Sequence, residues 1–128
     1  MLVNLERTIL ISLLCLVISA RPSLAQSVSS SDAKEVATMM QNEEFEQIRA
    51  KFTDPLAQKL SADHMKDVWD SVIANLGDLT DIGEPQATQK GSYQIFNVKC
   101  TCQNGLITIR VVYNAAGKID GLWVLPAQ

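Results

Sequence analysis

Residues 93–113 read YQIFNVKCTCQNGLITIRVVY, and their periodicity decides the fold class. Phe96, Val98, Cys100 and Cys102 alternate with Asn97, Lys99 and Thr101. Strict alternation is the mark of a strand with one buried face. Asn104-Gly105 then supplies a strong hairpin signal, because both residue types accept positive φ. The alternation resumes with Ile107, Ile109, Val111 and Tyr113 against Thr108 and Arg110. The stretch predicts an antiparallel hairpin with one face turned to a core.

Working outward, Asn114-Ala115-Ala116-Gly117 predicts a second turn, and residues 119–125 predict a further strand with Trp123 inside it. Residues 79–88 predict a ragged first strand, interrupted by Gly83 and Pro85. The first half of the chain has a different period. Asp32 reads as a helix cap with Glu35 three residues on, followed by Val36, Met39 and Met40. Asn42 reads as the cap of a second helix over residues 43–52, with Phe45, Ile48 and Phe52 on one face. Glu43, Glu44 and Glu46 sit at its positive end. Asp54-Pro55 breaks the pattern. Ser61 opens a third helix over residues 61–77, where Met65, Val68, Trp69, Val72, Ile73 and Leu76 recur at three and four and Gly77 is the stop. Three N-terminal helices packed on an antiparallel meander sheet of about four strands make an α+β fold. Trp69 and Trp123 are both expected in the core.

Residues 1–25 carry a separate signal. Arg7 precedes thirteen uncharged, mostly apolar residues (8–20), and Ser23-Leu24-Ala25 places small residues before a cut after Ala25. A spanning helix needs roughly twenty apolar residues, and Arg21-Pro22 ends this run too soon. A lipid anchor on Cys15 needs a small residue before it, and Leu14 stands there. The expectation is a cleaved signal peptide (1–25), a disordered lead-in (26–31) and a single α+β domain (32–128). The protein is then secreted or periplasmic, with no membrane attachment after cleavage.

Residues 26–128 hold nine basic and thirteen acidic side chains. A net negative chain lacks the field that draws proteins to phosphate backbones, which excludes nucleic acid and anionic membranes as expected partners. The charge is uneven: residues 32–84 have twelve acids against five bases, whereas residues 85–128 have one acid against four bases. Either these are ordinary solvated faces, or a basic sheet face meets an acidic partner.

Chemistry-bearing residues are few. Cys100 and Cys102 share one strand face, where a bridge between them would be strained. With His64 the single histidine, no tetrahedral metal set can close. Both read as free, buried thiols, and no cofactor or metal is expected. His64 lies beside Asp63 and Asp67 but lacks a nucleophile motif, and there is no phosphate-cradling or dinucleotide-binding glycine loop.

Several elements together resemble a family of small secreted bacterial domains of unknown function. They are Asn42-Glu43-Glu44-Phe45 with Phe52, Leu60, the helix around Trp69 ending in Gly77, the strands around Val98 and Val111, and the run Gly117-Lys118-Ile119-Asp120-Gly121-Leu122. The resemblance implies a nuclear-transport-factor-like or cystatin-like α+β fold with a cone between sheet and helices, found alone or ahead of α/β-hydrolase domains, and it implies no catalytic motif.

The expected function is a non-catalytic module acting by protein contact, with a homodimer as its simplest form. Its candidate interface is Lys99, Thr101, Thr108, Arg110 and Val112, with Leu122 and Val124 adding apolar area. The alternative is a small apolar ligand in the cone, lined by Phe96, Val98, Ile107, Ile109, Val111, Tyr113, Trp69 and Trp123, with Met39, Met40 and Met65 as adaptable neighbours. A second alternative is an isomerase- or dehydratase-like or hydrolase-associated enzyme using Tyr93, Tyr113 and Asp81.

Overall fold

The hairpin of residues 93–113 forms the middle of a five-stranded antiparallel sheet in the computed structural model, which describes residues 28–126. The strands are β1 (Leu79–Ile82), β2 (Gln86–Lys90), β3 (Tyr93–Cys102), β4 (Gly105–Tyr113) and β5 (Ile119–Pro126). Their order is β1-β3-β4-β5, and β2 also pairs with β3. The central register sets Phe96 opposite Val111, Val98 opposite Ile109 and Cys100 opposite Ile107. All six side chains are buried, so the alternation read from the sequence does mark the core face. The expected ragged strand over 79–88 is two strands, because the chain leaves the ladder at Gly83-Glu84-Pro85. Gly83 is needed there: a Cβ on it would stand 2.9 Å from the Lys99 carbonyl oxygen, to which its N–H donates at 2.8 Å.

Four helices, not three, precede the sheet: α1 (Ser30–Gln41), α2 (Phe45–Arg49), α3 (Asp54–Lys59) and α4 (Ala62–Leu76). α1 starts earlier than expected. Ser29 is its cap, and Asp32 is the third helical residue, whose carboxylate accepts from the Ser29 N–H at 2.8 Å. Ser30 and Ser31, expected in a disordered lead-in, are its first helical residues. The signal peptide expected over residues 1–25 lies outside the described residues. α2 is half as long as the pattern implied. α3 lies where a break was expected: Thr53 caps it, and Pro55 sits in its first turn, where a missing N–H costs nothing. Arg49 ties α2 to α3 by donating to the Ala57 carbonyl through Nη2 at 2.8 Å and Nε at 3.2 Å. α4 has both expected ends, with the Ser61 hydroxyl accepting from the His64 N–H and Gly77 closing it at φ 80°.

The helices cover one face of the sheet. Ala33, Val36, Ala37 and Met40 from α1, Phe45 and Ile48 from α2, and Met65 and Trp69 from α4 meet Phe96, Val98, Cys100, Ile107, Ile109 and Val111. Burying a side chain of this size stabilises the fold by roughly 1.5–3 kcal/mol. One further contact joins the halves. Phe52 forms a parallel bridge to Ile119. The Thr53 N–H donates to the Ile119 carbonyl at 2.8 Å, the Ile119 N–H donates to the Lys51 carbonyl at 2.9 Å, and the Thr53 hydroxyl donates to Asp120 Oδ1 at 2.8 Å. Among the described residues no helix is long and apolar enough to cross a membrane.

β5 carries the main correction to the sequence reading. The register slips between Val112 and Tyr113, and Asp120 is the additional residue on β5. Ile119 still points inward, but beyond the bulge each side chain changes face. Leu122 and Val124, opposite Val111 and Ile109, therefore pack towards the helices instead of adding to the outer face. Trp123, opposite Arg110, turns outward and is 49% exposed, whereas Trp69 is 1% exposed. The two tryptophans do not meet.

Candidate functional site

The face of the sheet turned away from the helices has no described element lying on it. Strand alternation brings the expected interface residues together there: Lys99, Thr101 and Arg110 are exposed, Thr108 and Val112 half-buried. The register sets Asn97 opposite Arg110, Lys99 opposite Thr108, and Arg110 opposite Trp123. Arg110 Nε donates to Asn97 Oδ1 at 2.9 Å. Gln86, Asn97, Lys99, Thr108, Arg110, Leu125 and Pro126 line a hollow of about 500 Å³ on this face. Sequence reasoning left Gln86, Asn97, Trp123, Leu125 and Pro126 out of the interface, and it did not place the exposed Leu106 on this surface. The bulge at Asp120 is what turns Trp123 and Leu125 outward, and nothing in the local pattern announced it.

The indole of Trp123 lies over Gly121, where an added Cβ would stand 2.5 Å from two ring carbons. Glycine at 121 lets the ring lie flat against the strand and explains why Gly121 is buried on an otherwise open face.

The expected apolar cone is packed solid by its own candidates. Phe96, Val98, Ile107, Ile109, Val111, Tyr113 and Trp69 are all at most 4% exposed and belong to one core cluster. A cleft of about 330 Å³ opens instead between α4 and the free side of β5, lined by Met40, Leu60, His64, Met65, Val68, Leu122, Trp123 and Val124. Of the cone residues only Trp123 reaches it. His64 is its one titratable lining residue, and His64 is exposed.

The acid-base candidates are dispersed. Asp81 stands opposite Thr101, while Tyr113 stands opposite Gln94, about 23 Å away along β3. Tyr93 is exposed and Tyr113 buried, on opposite faces. The Tyr113 ring meets Phe96 edge-on at 5.7 Å. Its hydroxyl is buried and finds no hydrogen-bond partner among the described residues. Burial, with Asp32 and Glu35 nearby, pushes its pKa above the ordinary tyrosine range. Ionisation is therefore harder folded than unfolded. The group's contribution to stability is complete below about pH 10 and is lost as the pH rises towards the folded value. Tyr113→Phe removes an unpaired buried hydroxyl, so it should leave the neutral-pH stability equal or raise it by about 1 kcal/mol. The variant should also lose less stability than the parent above pH 10. Denaturant melts at two pH values check both effects.

Cys100 and Cys102 are buried, free thiols facing the helices, with Cys100 Sγ 3.7 Å from the Val98 carbonyl oxygen. Burial pushes the Cys100 thiol up to about 12, with Cys102 and Asp81 adding to the effect. Burial raises Cys102 as well. Thiols so held are poor nucleophiles and poor metal ligands. Among the described residues no group of three His, Cys, Asp or Glu side chains could hold a metal ion.

No curated protein and no solved structure matches the chain. A family model described as a protein of unknown function (DUF3887) matches residues 33–122. That span runs from the first buried residue of α1 to Leu122 in β5, so it takes in most of α1, the other three helices, the clasp at Phe52 and Ile119, and the central hairpin. The chain belongs to this DUF3887 family of proteins of unknown function.

Proposed function

We propose that this domain is an exported, non-catalytic module that works by protein contact through the outer face of its sheet. The carrying observation is that face itself. A half-exposed Trp123 sits beside Arg110, with Leu106 51% exposed and Val112 and Leu125 half-buried around them. Tryptophan and arginine are the residue types that most often anchor protein interfaces. The occupant is either a second copy of this chain or a different protein, and the crosslinked mass distinguishes them. Export rests on the leader-like residues 1–25. A cystatin-like or nuclear-transport-factor-like relationship rests on the order of helices followed by an antiparallel sheet, one face of which they cover.

A photo-crosslinking amino acid at Thr108, compared with one at Asn75 on α4, tests this reading in the native host. An adduct from the sheet position and none from the helix position is expected. Its mass separates a second copy from another protein, and the free chain's mass shows whether it starts at Gln26. Equal yields from both positions, or none from either, would rule the reading out.

The second reading is a small apolar ligand held in the cleft between α4 and β5, favoured by the 330 Å³ space and its Met40, Met65 and Leu122 lining. Such a ligand would add mass in native mass spectrometry and raise the melting temperature.

A further inference from the structure

We infer that the hollow on the outer sheet face is a carboxylate-binding site. It takes an acidic segment of a partner protein, with Arg110 and Lys99 receiving its Asp or Glu side chains. The inference rests on the contact reading above and names the chemistry of the partner.

The lining of the hollow holds two cations and no acid. Neither Lys99 nor Arg110 forms an ion pair among the described residues, although Lys34, Lys51 and Lys66 on the helical side all do. Arg110 is also oriented. Its Nε–H is used by Asn97 at 2.9 Å, which fixes the guanidinium plane and leaves the four Nη hydrogens outward. That is the fork a carboxylate accepts in a bidentate manner. Lys99 lies two residues along β3 from Asn97, on the same face, where it can meet a second carboxylate as a point charge. Gln86 and Thr108 add neutral polar groups between the cations and the rim.

The surroundings decide between anions. Trp123 and Leu125 flank the cations, and their apolar area is suited to a polypeptide and has nothing to gain from phosphates. A nucleic acid would meet two cations on a chain whose described residues hold nine bases against thirteen acids. A second copy docked face to face would bring Lys99 and Arg110 against their own counterparts, a costly like-charge contact. Charge complementarity thus leaves an acidic segment as the occupant.

The test follows backbone amide shifts of the isotope-labelled protein titrated with three probes. These are a peptide of about ten alternating Glu and Ala residues, the same peptide with Gln for Glu, and inorganic phosphate. The acidic peptide should shift Asn97, Lys99, Thr108 and Arg110, and the Gln peptide should not. Binding should weaken in about 1 M salt, where the Debye length falls to about 3 Å. Lys99→Glu with Arg110→Glu should weaken it about tenfold or more. Arg110→Gln serves if the double variant fails to fold. Shifts of equal size with the Gln peptide, shifts centred elsewhere, or tighter binding of phosphate than of peptide would overturn the inference. A specific crosslink from Thr108 with no acidic preference would leave the contact reading standing while this inference fails. Absence of any crosslink removes the contact reading itself.

Discussion

Replacing Trp69 by alanine should lower the melting temperature by more than about 10 °C or leave the domain unfolded at room temperature. The indole is 1% exposed in the core between α4 and the sheet. Truncating a buried tryptophan typically costs about 3–5 kcal/mol. A domain of this size holds about 5–15 kcal/mol in all, and each kcal/mol shifts its melting point by about 4–8 °C. Trp123→Ala is the internal comparison. That ring is half-exposed, so its loss should cost about 1 kcal/mol at most. Thermal melts of the two variants side by side check the assignment, and equal losses would mean that β5 carries no bulge at Asp120.

Thiol labelling should show the second large effect. Cys100 and Cys102 are 1% and 3% exposed. A reagent reaches them only after opening, and opening this core costs close to the full unfolding free energy. Labelling of the native protein at neutral pH should therefore run at least about a thousandfold slower than in denaturant. The raised pKa of Cys100, about 12, adds a pH dependence. The buried neutral thiol contributes stability below about pH 9, and this is lost as the pH climbs from 9 towards 12. Protection should fall along that interval. Fast stoichiometric labelling of the native state at pH 7 would contradict the packing of β3.

The parts of this fold that were legible in the sequence carry their own local chemistry. α4 has a hydroxyl cap at Ser61, a helical stripe and a glycine stop, so its ends agree with its interior. The β3–β4 hairpin has uninterrupted alternation on both strands, although its two-residue turn is Gln103-Asn104, with Gly105 already paired to Cys102 and no positive φ in the turn. What escaped was set by contacts distant in sequence. Pro55 looks like a breaker until Thr53, held by the clasp to Ile119, caps a short helix around it. Phe52 looks like the end of the α2 stripe, yet its backbone is recruited by β5. Trp123 shares parity with Ile119, so plain alternation puts both in the core, and one extra residue at Asp120 reverses it. The candidate interface residues share one face because β3 and β4 contain no such slip. The candidate cone residues other than Trp123 pack against one another, since apolar residues on an inward face fill space at least as readily as they enclose it.

The clasp of residues 51–53 on Ile119 also bears on solubility. β5 runs along one margin of the sheet with the sequence IDGLWVLP, a composition that invites strand addition by other chains. Its first residue is already paired with Lys51 and Thr53 on that side. The irregularity at Asp120 twists the next positions away from a flat template, and Pro126 at the far end has no N–H to offer. Only the short stretch from Gly121 to Leu125 remains open to backbone pairing. The same device that closes the domain therefore guards its most aggregation-prone strand.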